Sequence, residues 1–131
     1  MSPLHRLAPA VLLALLTACS SNPPSSLALS DDSRCPLDLT IGQTLIVSLP
    51  SNPASGFRWV VLDAAPEVLV PLGPEVFTTP DEEALIAGDG ISTWRFDATQ
   101  LGEAHLHLAY QRPWEAEPTP TDAFDCRIRV K

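Results

Sequence analysis

The 131-residue chain has no apolar run long enough to cross a bilayer as a helix. Its most apolar stretch, Leu7 to Leu16, follows a short basic start at His5 and Arg6 and reads as the core of a secretory signal. Basic residues are scarce: Lys and Arg number 8 against 16 Asp and Glu, a formal net charge of −8. With no basic stripe, nucleic acid and anionic lipid surfaces are excluded as partners. Catalytic signatures are missing as well. Ser55 does not sit in a Gly-x-Ser-x-Gly elbow, and no phosphate-binding glycine loop precedes a helix. Asp81, Glu82 and Glu83 lack the opposing carboxylate that glycoside hydrolysis needs. His105 and His107 share one strand face without a further Cys or His to complete a metal site, so they read as a solvated face. Neither an enzyme nor a cofactor is expected.

What the chain does have is alternation. Ala104, Leu106, Leu108 and Tyr110 fall on one side of a strand, with Glu103, His105 and His107 on the other. Phe124, Cys126, Ile128 and Val130 alternate with Asp125, Arg127, Arg129 and Lys131 in the same way. Shorter or more apolar runs cover Leu37 to Ile41, Leu45 to Leu49, Phe57 to Leu62, Val68 to Leu72 and Ile91 to Asp97, punctuated by Pro and Gly. No helical period stands out. The pattern predicts an all-β fold, an immunoglobulin-like β-sandwich of about seven or eight strands.

The connections alternate too. Links at Gly42-Gln43, Asp63 to Pro66 and Ala98 to Gly102 are short, whereas those at Ser51 to Gly56, Thr79 to Gly90 and Gln111 to Asp122 are elaborate. In a sandwich of antiparallel neighbours, alternate connections emerge at the same end. The three elaborate loops are therefore expected at one tip, and long loops in a compact domain tend to carry function. In the first, Pro53 presets a turn, Gly56 can take positive φ, Asn52 can bond its own backbone, and Ala54 and Ser55 form a slender tip. The second ends Gly88-Asp89-Gly90-Ile91, and the third begins Arg112-Pro113-Trp114, which supplies the residue types that dominate binding hot spots.

At the N-terminus, Leu16-Thr17-Ala18-Cys19 resembles the lipobox of bacterial lipoproteins. That resemblance implies a signal peptide over 1–18, lipidation of Cys19, and an exported domain anchored in the envelope by its N-terminal lipid alone. Ser20 after the cysteine resembles lipoproteins sent on to the outer membrane, facing the periplasm. Residues 19–34, rich in Ser and Pro, read as a flexible tether, leaving one domain over 35–131. With Cys19 assigned to lipid, Cys35 and Cys126 remain as a disulfide in an oxidising compartment, the alternative being two buried free thiols. No Cys-His catalytic signature is left.

Asn52-Pro-Ala-Ser-Gly-Phe57, Gly88-Asp-Gly-Ile91 and Arg112-Pro-Trp114, in that order and separated by strands, resemble the chagasin family of inhibitors of papain-like cysteine peptidases. The stretch Gly102 to Glu115 is similar to that family's strand leading into its third loop. The resemblance spans about residues 37 to 130. It implies a monomeric, reversible, competitive inhibitor whose partner is a papain-like cysteine peptidase. Asn52, Pro53, Ala54, Ser55, Gly56 and Phe57 would enter the cleft, Gly88, Asp89, Gly90 and Ile91 would lie along one side, and Arg112, Pro113 and Trp114 would pack on the other. Ala54 departs from the family's usual hydroxyl residue, and the disulfide is not part of the family pattern. The competing reading is an envelope adhesion or scaffold module built on the same sandwich.

Overall fold

The computed structural model describes Ala14 and residues 25–131. The signal peptide and the lipidation site at Cys19 lie outside the described residues. Nine strands form two sheets among the described residues. The first sheet contains β1 (Ser26–Leu29), β3 (Thr44–Ser51) and β7 (Gly90–Ala98), with β5 (Leu69–Pro71) and β6 (Val76–Thr78) end to end along the far side of β7. The second runs β2 (Leu37–Leu39), β9 (Asp122–Val130), β8 (Gly102–Gln111) and β4 (Arg58–Ala64). Neighbours are antiparallel except β1 on β3 and β2 on β9.

Strand alternation builds the core directly. Leu45, Val47 and Leu49 on β3 and Trp94, Phe96 and Ala98 on β7 face Leu106 and Leu108 on β8 and Phe124, Cys126, Ile128 and Val130 on β9, all buried. Inward-facing rows from two sheets interdigitate in this way in a β-sandwich. Cys35, just before β2, is disulfide-bonded to the fully buried Cys126, with Cα atoms 5.2 Å apart. The bond and the β2–β9 ladder fasten the N-terminal segment to the last strand.

Three elements differ from the sequence reading. Ser26–Leu29, inside the stretch read as tether, is a strand: Leu29 is buried, and the strand adds to β3 in parallel register, Ser26 opposite Thr44. Two leucines two residues apart supply the buried face that the serines around them obscure. Val76–Thr78 forms β6 with no buried residue, so it carries no alternation to be read. Glu82–Ala87 is a short helix, α1, where only a loop was expected.

The links fall at two ends, as the alternation predicts. Residues 40–43, 65–68 and 99–101 meet at the base, where Gly42 N–H donates to Ala98 O at 2.8 Å and Thr99 N–H to Val68 O at 3.0 Å. At the opposite tip, residues 52–57, 79–89 and 112–121 come together.

Candidate functional site

The first loop is a single 3₁₀ turn, Pro53–Ser55, closed by Gly56 at φ 88°. Asn52 caps it, its side-chain oxygen accepting from Ser55 N–H at 3.2 Å. Ser55 Oγ donates inward to Asn52 O at 2.6 Å, which holds the hydroxyl against the loop's own backbone. From below, Arg58 Nη1 donates to Pro53 O at 2.7 Å. Tyr110 Oη accepts from Asn52 N–H at 2.9 Å. With the N–H groups of Asn52, Ser55, Gly56 and Phe57 all hydrogen-bonded and φ fixed at Pro53, the loop has little conformational freedom left to lose on binding. Of the turn, Ala54 and Ser55 are exposed, whereas Asn52, Pro53 and Gly56 are half-buried.

Beneath the turn runs a stack of aromatic rings. Trp94 meets Trp59 edge-on at 6.5 Å, Trp59 meets Tyr110 at 5.0 Å, and Tyr110 meets Phe57 at 5.5 Å. Arg112 lies over Phe57, its guanidinium carbon 4.6 Å from the ring centroid. The stack therefore starts in the core, at Trp59 and Trp94, and ends at the surface under two of the three loops. Trp59 Nε1 donates to Pro50 O at 2.9 Å, so the indole's one polar atom is satisfied in the core.

The second loop is α1 and the turn that ends it. Asp81 caps its start, accepting from Ala84 N–H at 2.7 Å, and Gly88 at φ 82° caps its end. The Asn52 amide nitrogen reaches across to donate to Ala87 O at 3.2 Å and Asp89 Oδ1 at 2.9 Å. Approach is so close that a β-carbon on Gly88 would lie 2.6 Å from Ala54 Cβ. Gly90 begins β7 under Phe77, and Ile91 is a strand residue opposite Pro50 and Thr78.

In the third loop, Arg112 and Glu115 approach to 3.6 Å across one turn, and Glu115 N–H donates to Arg112 O at 3.3 Å. Trp114 is 65% exposed and rests on Gly56. The order across the tip is thus Gly88, then the Asn52 turn, then Trp114.

All thirteen loop residues singled out in the sequence lie at or beside this tip, with Gly90 and Ile91 set back in β7. Asp89 turns its carboxylate to Asn52, which makes it a brace of the first loop. The sequence reading misses the two residues that hold the turn from below, Arg58 and Tyr110. Tyr110 lies on the inward face of its strand and carried only a core signal, while the Arg58 bond depends on how the turn folds back.

The groups whose ionisation the fold perturbs lie away from the tip. Hydrogen bonds from Arg129 and Lys131 hold the Asp38 carboxyl below its ordinary range, and Arg129 is correspondingly raised by Asp38. Asp125 is lowered by its hydrogen bond with His105, and Asp31 by bonds from Ser33. At the tip, the Ser55 hydroxyl meets a carbonyl and no base. Among the described residues no cluster of His, Cys, Asp or Glu is arranged to hold a metal ion.

A two-sheet sandwich presents three loops at one end, the first braced by each of the other two, and so defines a loop-displaying β-sandwich domain. The profile of the chagasin family peptidase inhibitor I42 matches residues 38–128, and the chain belongs to that family, whose members inhibit peptidases and are not enzymes. It is 24% identical to chagasin of Trypanosoma cruzi over 98 residues, 72% of this chain and 87% of that protein. Its fold is similar to that of the cysteine protease inhibitor EhICP2 of Entamoeba histolytica, with a TM-score of 0.69 at 15% identity, covering 83% of this chain and all of that one. PbICP-C, solved in complex with falcipain-2, aligns over 82% of this chain and its own full length with a TM-score of 0.51 at 17% identity.

Proposed function

We propose that the protein is a reversible, competitive inhibitor of papain-like cysteine peptidases and that its three-loop tip is the inhibitory edge. In this reading Asn52 to Phe57 enters the active-site cleft, with Ala54 and Ser55 nearest the catalytic cysteine. Gly88 to Ile91 line one side, and Arg112, Pro113 and Trp114 pack on the other. The observation that carries the reading is the bracing of the Asn52 turn by both flanking loops, through Asn52 to Ala87 and Asp89 on one side and through Gly56 to Trp114 on the other. A wedge of small side chains with its backbone already ordered can occupy a narrow cleft without large entropic cost. Because the tip offers no strained scissile bond or reactive group, blockade is steric and substrate competes with it.

The lipobox-like Leu16 to Cys19 supports an exported protein anchored through a lipid on Cys19, in the outer membrane facing the periplasm. The disulfide suits an oxidising compartment.

Titration of papain activity with the protein tests the function. Competitive inhibition is expected, raising KM with kcat unchanged, and Trp114→Ala should weaken it by about tenfold or more, the scale of an interface hot spot. A folded, disulfide-bonded sample that inhibits neither papain nor related peptidases would overturn the reading and favour an adhesion or scaffold module.

A further inference from the structure

The base of the sandwich presents apolar side chains where turns ordinarily present polar ones. Thr40 to Gln43 form a tight turn closed by Gln43 N–H to Thr40 O at 3.0 Å, with Gly42 at φ 93°. Positive φ at that position marks a type II turn, and the residue at its outer corner is Ile41, 50% exposed. Thr40 N–H donates to Gln43 Oε1 at 2.7 Å, which ties the turn a second time. The turn is also fastened to the end of β7, Gly42 N–H donating to Ala98 O at 2.8 Å and Ala98 N–H to Gln43 O at 2.9 Å. Three residues beyond Ala98, Leu101 is 67% exposed. Neither side chain belongs to the core cluster, yet both stand on backbone that the fold holds in place.

The course of the chain indicates what lies beneath them. Ser25 O accepts from Thr44 N–H at 2.9 Å, directly after the Ile41 turn, so the N-terminal segment enters at this end. Cys19 is only six residues earlier, a span of at most about 20 Å when fully extended. A lipid on Cys19 therefore keeps the base within that distance of a membrane interface. Charge favours the same orientation. The base links 40–43, 65–68 and 99–101 carry one charged residue, Glu67, and the ammonium of the neighbouring Lys131 is paired with Asp38. The loops 52–57, 79–89 and 112–121 carry six carboxylates and one arginine. With the base turned to the membrane, those carboxylates face away from the headgroup phosphates.

We propose that Ile41 and Leu101 seat the base of the domain on the membrane. The two side chains enter the apolar edge of the headgroup layer and hold the three loops pointing away from it. The partner is the lipid interface, met through apolar contact without any basic patch. Two aliphatic side chains alone bind an interface weakly, but a short tether to a lipid makes theirs an intramolecular contact, which needs little affinity of its own. The inference rests on lipidation of Cys19 and adds to it a second point of attachment, one that fixes orientation.

The test uses the full chain, produced with its signal in bacteria and extracted from their membranes, with acylation of Cys19 read by mass spectrometry. It is reconstituted into phosphatidylethanolamine vesicles containing brominated phosphatidylcholine, whose bromine quenches tryptophan on contact. Ile41→Trp and Leu101→Trp place a reporter at each corner of the base, and Leu85→Trp, at a position 65% exposed beside the loops, is the control. Emission is taken as the difference from wild type, which removes Trp59, Trp94 and Trp114. All three replaced side chains are exposed, so circular dichroism should be unchanged. The reporters at 41 and 101 are expected to be blue-shifted and quenched, and the one at 85 to be neither. Adding Ile41→Asp to Leu101→Trp should relieve the quenching. An acylated, vesicle-bound chain whose three reporters behave alike would overturn the seating and leave the lipid anchor standing. A blue shift at the base without quenching would show that a second copy of the chain covers it, which overturns the proposal as well. A chain that is not acylated would overturn the anchor and this inference with it.

Discussion

Trp114 occupies the space that a side chain at position 56 would need: a β-carbon on Gly56 would lie 2.4 Å from the indole Cη2. Because Gly56 also adopts φ 88°, two separate demands keep the position free of a side chain. The turn of the first loop and the anchor of the third are therefore fitted to each other before any partner arrives.

Gly56→Ala should consequently damage two loops at once. The backbone conformation alone costs about 1–2 kcal/mol for an L-residue, and relief of the clash moves the indole off the turn. Inhibition of papain is expected to weaken by about tenfold or more, approaching the effect of Trp114→Ala. Inhibition constants check this, with tryptophan fluorescence reporting the displaced ring.

Asn52 and Asp89 form the second coupling, amide to carboxylate at 2.9 Å. Asn52→Asp sets two carboxylates against each other and should weaken inhibition while shifting the melting temperature little, since the pair is exposed. Adding Asp89→Asn restores an amide opposite a carboxylate and should recover much of the loss. A double-mutant cycle on inhibition constants measures the recovery, and simple additivity would show that the two side chains act independently.

Closing a loop between residues 91 apart in sequence, the Cys35–Cys126 bond should contribute about 4 kcal/mol to stability by restricting the unfolded chain. Cys35→Ala/Cys126→Ala is expected to lower the denaturation midpoint substantially. At temperatures where the variant remains folded, its inhibition constant should match wild type, because the bond lies away from the loops. Chemical denaturation combined with inhibition assays separates the two effects.

Acid should loosen the second sheet. Asp38 and Asp125 have folded-state values below their unfolded ones, so the stability they add is fully present above the ordinary carboxylate range and is lost as pH falls through the lowered values. Melting temperature is expected to hold on their account from neutrality down to about pH 4 and to decline below that. Both groups are solvent-exposed, so the decline is modest. Thermal melts from neutral to strongly acid pH, repeated with Asp38→Asn, test it: the variant should start lower at neutral pH and show a shallower fall.

Ser92 is fully buried in β7, and its hydroxyl has no hydrogen-bond partner among the described residues. Ser92→Ala removes an unsatisfied polar atom at nearly constant volume and should raise stability by about 1 kcal/mol. A lower melting temperature in the variant would contradict this.

The core strands are legible in the sequence because burial on one face writes itself as alternation, plainly in Phe124 to Val130 and in Ala104 to Tyr110. Where burial is slight, the code fails. β6 buries nothing and leaves no period to find, and β1 offers only two leucines among serines. Helix α1 is too short for a helical period, although Asp81 before two glutamates and Gly88 six residues after Glu82 are a start and a stop signal in plain view. The loop residues themselves are legible from turn chemistry. Their mutual fit is not, since the Asn52 amide meets a carbonyl 35 residues away and Tyr110 Oη meets a backbone N–H 58 residues away.

The parallel placement of β1 on β3 sets the molecule's orientation. Ser26 lies beside Thr44 at the base, and β9 ends at Val130 near the same end, so the chain both enters and leaves the sandwich on the side remote from the loops. A linkage made at either of these points, to a lipid, a resin or a fused domain, meets the foot of the molecule and leaves the opposite pole facing outward. Attached in that way, the domain stands on its foot like a probe on a stalk, with no need to detach before engaging what diffuses past.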